Sequence, residues 1–109
     1  MNSQIYRKIG LAILLLLSLF IQIARAASGV PAGIKNDAYD QLLKKYVNSQ
    51  GLVAYEKWKA NAEDMKALDD YLAQFGAGGS AANGTERYAS LVNAYNGFVL
   101  QWILRNYPT

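Results

Sequence analysis

The chain has 109 residues, with 11 lysines and arginines against 8 aspartates and glutamates, and neither cysteine nor histidine. Without those two residues there is no thiol or imidazole to serve as nucleophile or base, no disulfide, and no thiolate or imidazole ligand for a zinc site. Three of the basic residues (Arg7, Lys8 and Arg25) lie in the N-terminal leader. The remaining eight basic residues balance eight acidic ones, so no basic stripe is left to read nucleic acid or to draw the chain to an anionic membrane.

The leader comes first in chain order. Arg7 and Lys8 precede an apolar run from Ile9 to Ile23, and Ala24-Arg25-Ala26 closes it ahead of Ala27-Ser28. A charged start, a hydrophobic middle and a small-x-small ending predict a secretory signal peptide over residues 1–26, cut between Ala26 and Ala27. The run is shorter than the ~20 apolar residues that span a bilayer, so membrane contact is expected only through this segment if it stays uncleaved. The predicted location is exported, periplasmic or extracellular. Residues 27–109 then form a chain that buries only about 60–65% of its unfolded surface. With no disulfide or metal to compensate, part of its core is expected to come from outside the chain.

Residues 27–35, with Gly29, Pro31 and Gly33, read as a linker. Asn36 or Asp37 is placed to cap a helix whose apolar face is Tyr39, Leu42, Leu43, Tyr46 and Val47. Lys44 and Lys45 suit the dipole near its end, and Gly51 closes it. Residues 51–55 (Gly-Leu-Val-Ala-Tyr) predict a short strand or extended crossing, and Glu56–Ala60 a single helical turn. A second helix over 61–75 presents Met65, Leu68, Tyr71, Leu72 and Phe75, with Gly76 as its left-handed cap. Residues 76–84 form a glycine-rich flexible loop. Thr85 is placed to cap the third and longest helix, Glu86 to about Asn106. Its broad apolar face carries Tyr88, Leu91, Val92, Tyr95, Phe98, Val99, Trp102 and Ile103. A narrower stripe of Glu86, Ser90, Asn93, Gly97 and Gln101 runs beside it.

Chemistry-bearing patterns are sparse. Ser80 and Ser90 have no histidine to activate them, and the lysines read as solvated helix positions. Glu63, Asp64, Asp69 and Asp70 lack the alternating spacing of a calcium loop. The glycine-rich loop lacks the phosphate-binding pattern. No catalytic, cofactor-binding or metal-ligating residue is therefore assigned. Tyr39, Tyr46, Tyr71, Tyr88 and Tyr95 fall on apolar helical faces and are expected in the core or at its rim, with their hydroxyls partnered. The unusual segment is Asn93-Ala94-Tyr95-Asn96-Gly97, since a mid-helix glycine alone costs ~1 kcal/mol relative to alanine. Two readings stay open. In one, Asn93 bonds to a neighbouring segment while Gly97 lets that segment approach; in the other, the asparagines face a ligand.

Five segments resemble a known family. They are Leu42-Leu43-Lys44-Lys45-Tyr46-Val47, Gln50-Gly51-Leu52-Val53-x-Tyr55, Leu68-Asp69-x-Tyr71-Leu72, Val92-Asn93-Ala94-Tyr95-Asn96 and Ile103-Leu104-x-x-Tyr107-Pro108. In this order, over residues 39–108, they look like the opening of domain of unknown function 547, found in secreted bacterial proteins and in plants. Where the family typically shows Ala-Phe-Trp-Ile before Asn-Ala-Tyr-Asn, this chain has Ala89-Ser90-Leu91-Val92. The resemblance implies that family domains run about a hundred residues further, a normal domain size. That further stretch carries a histidine segment and cysteine segments that this chain lacks. Asn93, Tyr95 and Asn96 are therefore carried over only as motif positions of unknown role.

The resulting fold expectation is mainly α: three helices and one short extended segment, the N-terminal, truncated part of a larger α+β domain. The functional expectation is an exported, non-catalytic domain or interaction module. A protein partner, or the missing C-terminal half, would cover the third helix. The alternative is the helical half of a cysteine-dependent hydrolase or transferase whose catalytic segments lie outside this chain.

Overall fold

The computed structural model describes residues 29–108. The predicted leader over 1–26 and the Ala26–Ala27 cleavage point lie outside the described residues. The described chain is mainly helical, with four α-helices: α1 (Asp37–Tyr46), α2 (Tyr55–Ala60), α3 (Ala62–Ala73) and α4 (Gly84–Asn106). A 3₁₀ turn, Gln74–Gly76, follows α3 directly. The helix of residues 55–60, expected as a single turn, is thus an element in its own right.

Helix α1 stops earlier than its apolar spacing suggests. Val47 is extended and pairs with Val53, because Asn48 offers the backbone a competing arrangement. Its side-chain oxygen accepts the N–H groups of Gln50 and Leu52 at 2.9 and 3.0 Å, closing a tight turn. Gly51 sits at φ 78° in that turn, a conformation glycine adopts without steric cost. Among the described residues this pairing is one isolated bridge, not a strand, and Tyr55 belongs to α2.

The predicted linker and the glycine-rich loop hold each other. Ala32 N–H donates to the Ser80 carbonyl and Ala82 N–H to the Val30 carbonyl, both at 2.7 Å, around a Pro31–Ala81 bridge. Val30 and Ala82 are buried there. The arm is fixed further by Gln74, which exchanges two hydrogen bonds with the Lys35 backbone, and by Glu86, which accepts Gly33 N–H at 2.8 Å. Gly76 is not left-handed, because the 3₁₀ turn consumes the end of α3. Helix α4 starts at Gly84, with Asn83 rather than Thr85 in the capping position.

Helix α3 is central and touches the other three. It starts where the Asn61 side chain accepts Asp64 N–H at 3.0 Å. The core is a stack of aromatic rings capped by leucines. Tyr39 lies on Tyr71 with centroids 4.5 Å apart, and Tyr46 lies on Trp58 at 4.7 Å, 10° from parallel. Trp58, Leu68 and Leu104 are fully enclosed. Such offset ring pairs add about 0.5–1.5 kcal/mol each beyond their buried area.

Candidate functional site

Helix α4 is rotated relative to the sequence expectation. Its core-facing side is the narrow stripe: Ser90 and Gly97 are buried, along with Leu100 and Leu104, and Asn93 and Gln101 are half-buried. The physical reason is distance. A Cβ built on Gly97 would stand 2.7 Å from Leu72 Cδ2 and 3.9 Å from Tyr39 Cε1, well inside the ~3.5–4.0 Å of carbon–carbon contact. The small residues of α4 let it settle onto rings and leucines already stacked by α1–α3. The C-terminal half of α4 is tied down by Gln101, which donates to Asp69 at 2.7 Å, and by Arg105, which reaches the same carboxylate at 3.3 Å. Lys59 crosses from α2 to bond the Arg105 and Tyr107 carbonyls at the C-terminus of α4.

The broad apolar face consequently points outward. Tyr88 is 73% exposed, Tyr95 72% and Trp102 63%, and Leu91, Val92, Phe98 and Val99 are each at least 40% exposed. The expectation that Tyr88 and Tyr95 belong to the core or its rim is overturned here, whereas Tyr39, Tyr46 and Tyr71 are buried as expected. No charged residue occurs between Arg87 and Arg105. Beside this face, Leu91, Ala94 and Phe98 join Val30 and Phe75 in an open apolar groove of about 330 Å³. A monomer seldom leaves a contiguous apolar patch of several hundred Å² bare, and such patches mark interaction sites. No described helix is long and apolar enough to cross a membrane.

The three motif positions do not converge. Asn93 sits beside the Tyr71 hydroxyl, Tyr95 stands in the exposed apolar face, and Asn96 is exposed on the neighbouring side. Burial, reinforced by Tyr39 and partly offset by Asn93, pushes the Tyr71 phenol up to about 12. Its proton is donated to Asn36 Oδ1 at 2.8 Å. Asn36 occupies the capping position of α1 without capping it, since its side chain serves this bond instead.

The acidic residues of α3 are divided among separate partners. Asp64 accepts Lys45 Nζ at 2.6 Å and the Tyr46 hydroxyl, which together hold its carboxyl below the ordinary carboxylate value. Burial, with Asp64 adding to it, raises the Tyr46 phenol. Asp70 pairs with Lys66 and Asp69 with Arg105. Among the described residues no three acidic side chains come close enough to share an ion. Sequence reasoning missed Trp58, Leu100 and Leu104 as core. Leu100 and Leu104 continue the Asn93–Gly97 line by the same steps of three and four, a signal hidden by the larger residues on the other face.

No family model, characterised protein or solved structure is significantly similar to the chain.

Proposed function

We propose that the chain is an exported, non-catalytic docking module that binds a protein partner through the outer face of α4. The observation that carries this reading is the concentration of seven largely exposed apolar side chains on one helix, with no charge among them. Several charged residues elsewhere are committed to internal work: Lys45, Lys59, Glu86 and Asp69 each hold one element to another. Export rests on the leader, and N-terminal sequencing of the secreted product tests it by finding Ala27 first, or not.

Docking is tested by Tyr95→Lys, which places a charge on an exposed position. Folding stability should stay within ~0.5 kcal/mol of the parent, while hydrophobic-dye binding or self-association falls. A parent chain that is monomeric, binds no dye and melts cooperatively refutes the reading.

The same face supports a second reading, in which α4 packs against the remainder of a larger α+β domain. There this chain would be the helical half of a cysteine-dependent hydrolase or transferase, as the family resemblance of residues 39–108 implies. Co-purification of a polypeptide carrying histidine and cysteine segments would favour it.

A further inference from the structure

We infer that the occupant of the α4 face is a second copy of this chain, paired antiparallel about a two-fold axis at the level of Asn96 and Gly97. This rests on the docking reading above and gives it a partner.

The spacing of the face comes first. Tyr88, Leu91, Tyr95, Phe98 and Trp102 recur by three, four, three and four residues, the spacing that a seam between two paired helices uses. Tyr88, Tyr95 and Trp102 are the most outward residues of α4, with Leu91 and Phe98 less exposed beside them, while the small-residue line at Gly97 is used up by Leu72.

Charge sets the direction. A parallel pair would bring Arg87 against its own copy, and like charges so placed repel, whereas Arg105 is already paired with Asp69. In an antiparallel pair centred between Asn96 and Gly97, the uncharged residues 89–104 overlap their own copy. The knob-and-hole register then sets Tyr95 against Phe98, Leu91 against Trp102, and Tyr88 against Arg105. The last of these matches a guanidinium to an aromatic face. Opposed helix dipoles also favour this sense.

Area completes the case. Seven side chains averaging just over half exposed, at roughly 200 Å² for a large apolar residue, offer about 700 Å² per copy. A standard stable interface needs ~800 Å² per partner, so the face has the right size for one isologous contact. A membrane surface suits it less well, because interfacial helices carry lysines and arginines along the opposite face, and α4 has none between positions 87 and 105.

The chain has no native cysteine, which permits a clean test. The full chain, expressed with its leader and purified from the host, is prepared as Leu91→Cys and as Trp102→Cys. The two are oxidised separately and mixed, alongside sedimentation and dye binding of the parent and of Tyr95→Lys. Antiparallel pairing predicts a parent dimer, a disulfide in the mixture only, and at least a tenfold weaker dimer for Tyr95→Lys at unchanged helicity. Identical positions would then lie about 16 Å apart along the helix, too far for a disulfide. Cross-linking of each variant with itself, and no disulfide joining the two different variants in the mixture, means a parallel pair and overturns the proposal. A parent that stays monomeric but binds dye, and loses that binding in Tyr95→Lys, overturns the second copy while leaving the docking face standing. A monomer without dye binding removes both, and a monomer that instead sediments with lipid vesicles replaces this partner with a membrane surface.

Discussion

Replacing Gly97 by alanine sets two effects of known size against each other. In a helix interior alanine is about 1 kcal/mol better than glycine. At this position its Cβ would stand 2.7 Å from Leu72 Cδ2, roughly 1 Å inside normal carbon contact. Leu72 is itself buried among Tyr39, Leu68 and Tyr71, so it can move aside only by disturbing packed neighbours, at about 1–3 kcal/mol. Gly97→Ala should therefore be neutral to destabilising by up to about 2 kcal/mol. Leu72→Ala alone should cost about 2–5 kcal/mol. In that background the obstruction is gone, and Gly97→Ala should recover about 1 kcal/mol through helix propensity, with some cavity filling besides. Urea unfolding of the four proteins, followed by far-ultraviolet circular dichroism, gives a coupling energy between the two sites. It should be ~1–3 kcal/mol, the range for residues in contact. If Gly97→Ala stabilises the parent by the full propensity gain, and the two changes add within ~0.5 kcal/mol, then close approach at Gly97 does not dictate how α4 sits.

Further outcomes follow from the core and its polar ties. Trp58→Ala empties the centre of the aromatic stack and should cost about 3–5 kcal/mol, enough to abolish cooperative melting in so small a domain; a sharp transition near the parental temperature would contradict the stack's role. Tyr46→Phe keeps the ring on Trp58 but removes the hydroxyl from Asp64, so a loss of about 0.5–1.5 kcal/mol is expected by thermal unfolding. Because Asp64 is held below its ordinary value, its contribution is complete above pH ~4 and disappears as pH falls through the folded value; Asp64→Asn should flatten this acid limb in a pH series of unfolding midpoints. At the alkaline end the sign is reversed. The folded chain retains the Tyr71 proton up to about 12, whereas the unfolded phenol releases it near 10, so stability should fall as pH rises between these values, and Tyr71→Phe should remove part of that slope.

The core helices were legible in the sequence because each has one apolar stripe and one set of neighbours. Tyr39, Leu42, Leu43 and Tyr46 of α1, and Met65, Leu68, Tyr71 and Leu72 of α3 with Phe75 in the 3₁₀ turn after it, recur at helical spacing, and all are buried or packed against the core. The ends of these helices were less legible. Asn48 captures two backbone N–H groups and stops α1 five residues before Gly51, and the 3₁₀ turn absorbs Gly76, because local side-chain bonds and turn geometry compete with a continuing helix at energies that hydrophobic spacing does not register.

The candidate surface was half legible. The sequence by itself determined that α4 carries more apolar surface than two short helices can cover, and it contains the seam spacing of Tyr88, Leu91, Tyr95, Phe98 and Trp102. Which side of α4 faces inward was decided only by tertiary structure. A hydrophobicity pattern ranks faces by transfer energy alone and would bury the largest residues. The interior had already been filled by the Tyr39–Tyr71 and Tyr46–Trp58 stacks, and what remained was a shallow surface that only a helix side of glycine, serine and two leucines could approach to contact distance. Packing density chose the smaller face, and the larger one was left for another surface to cover.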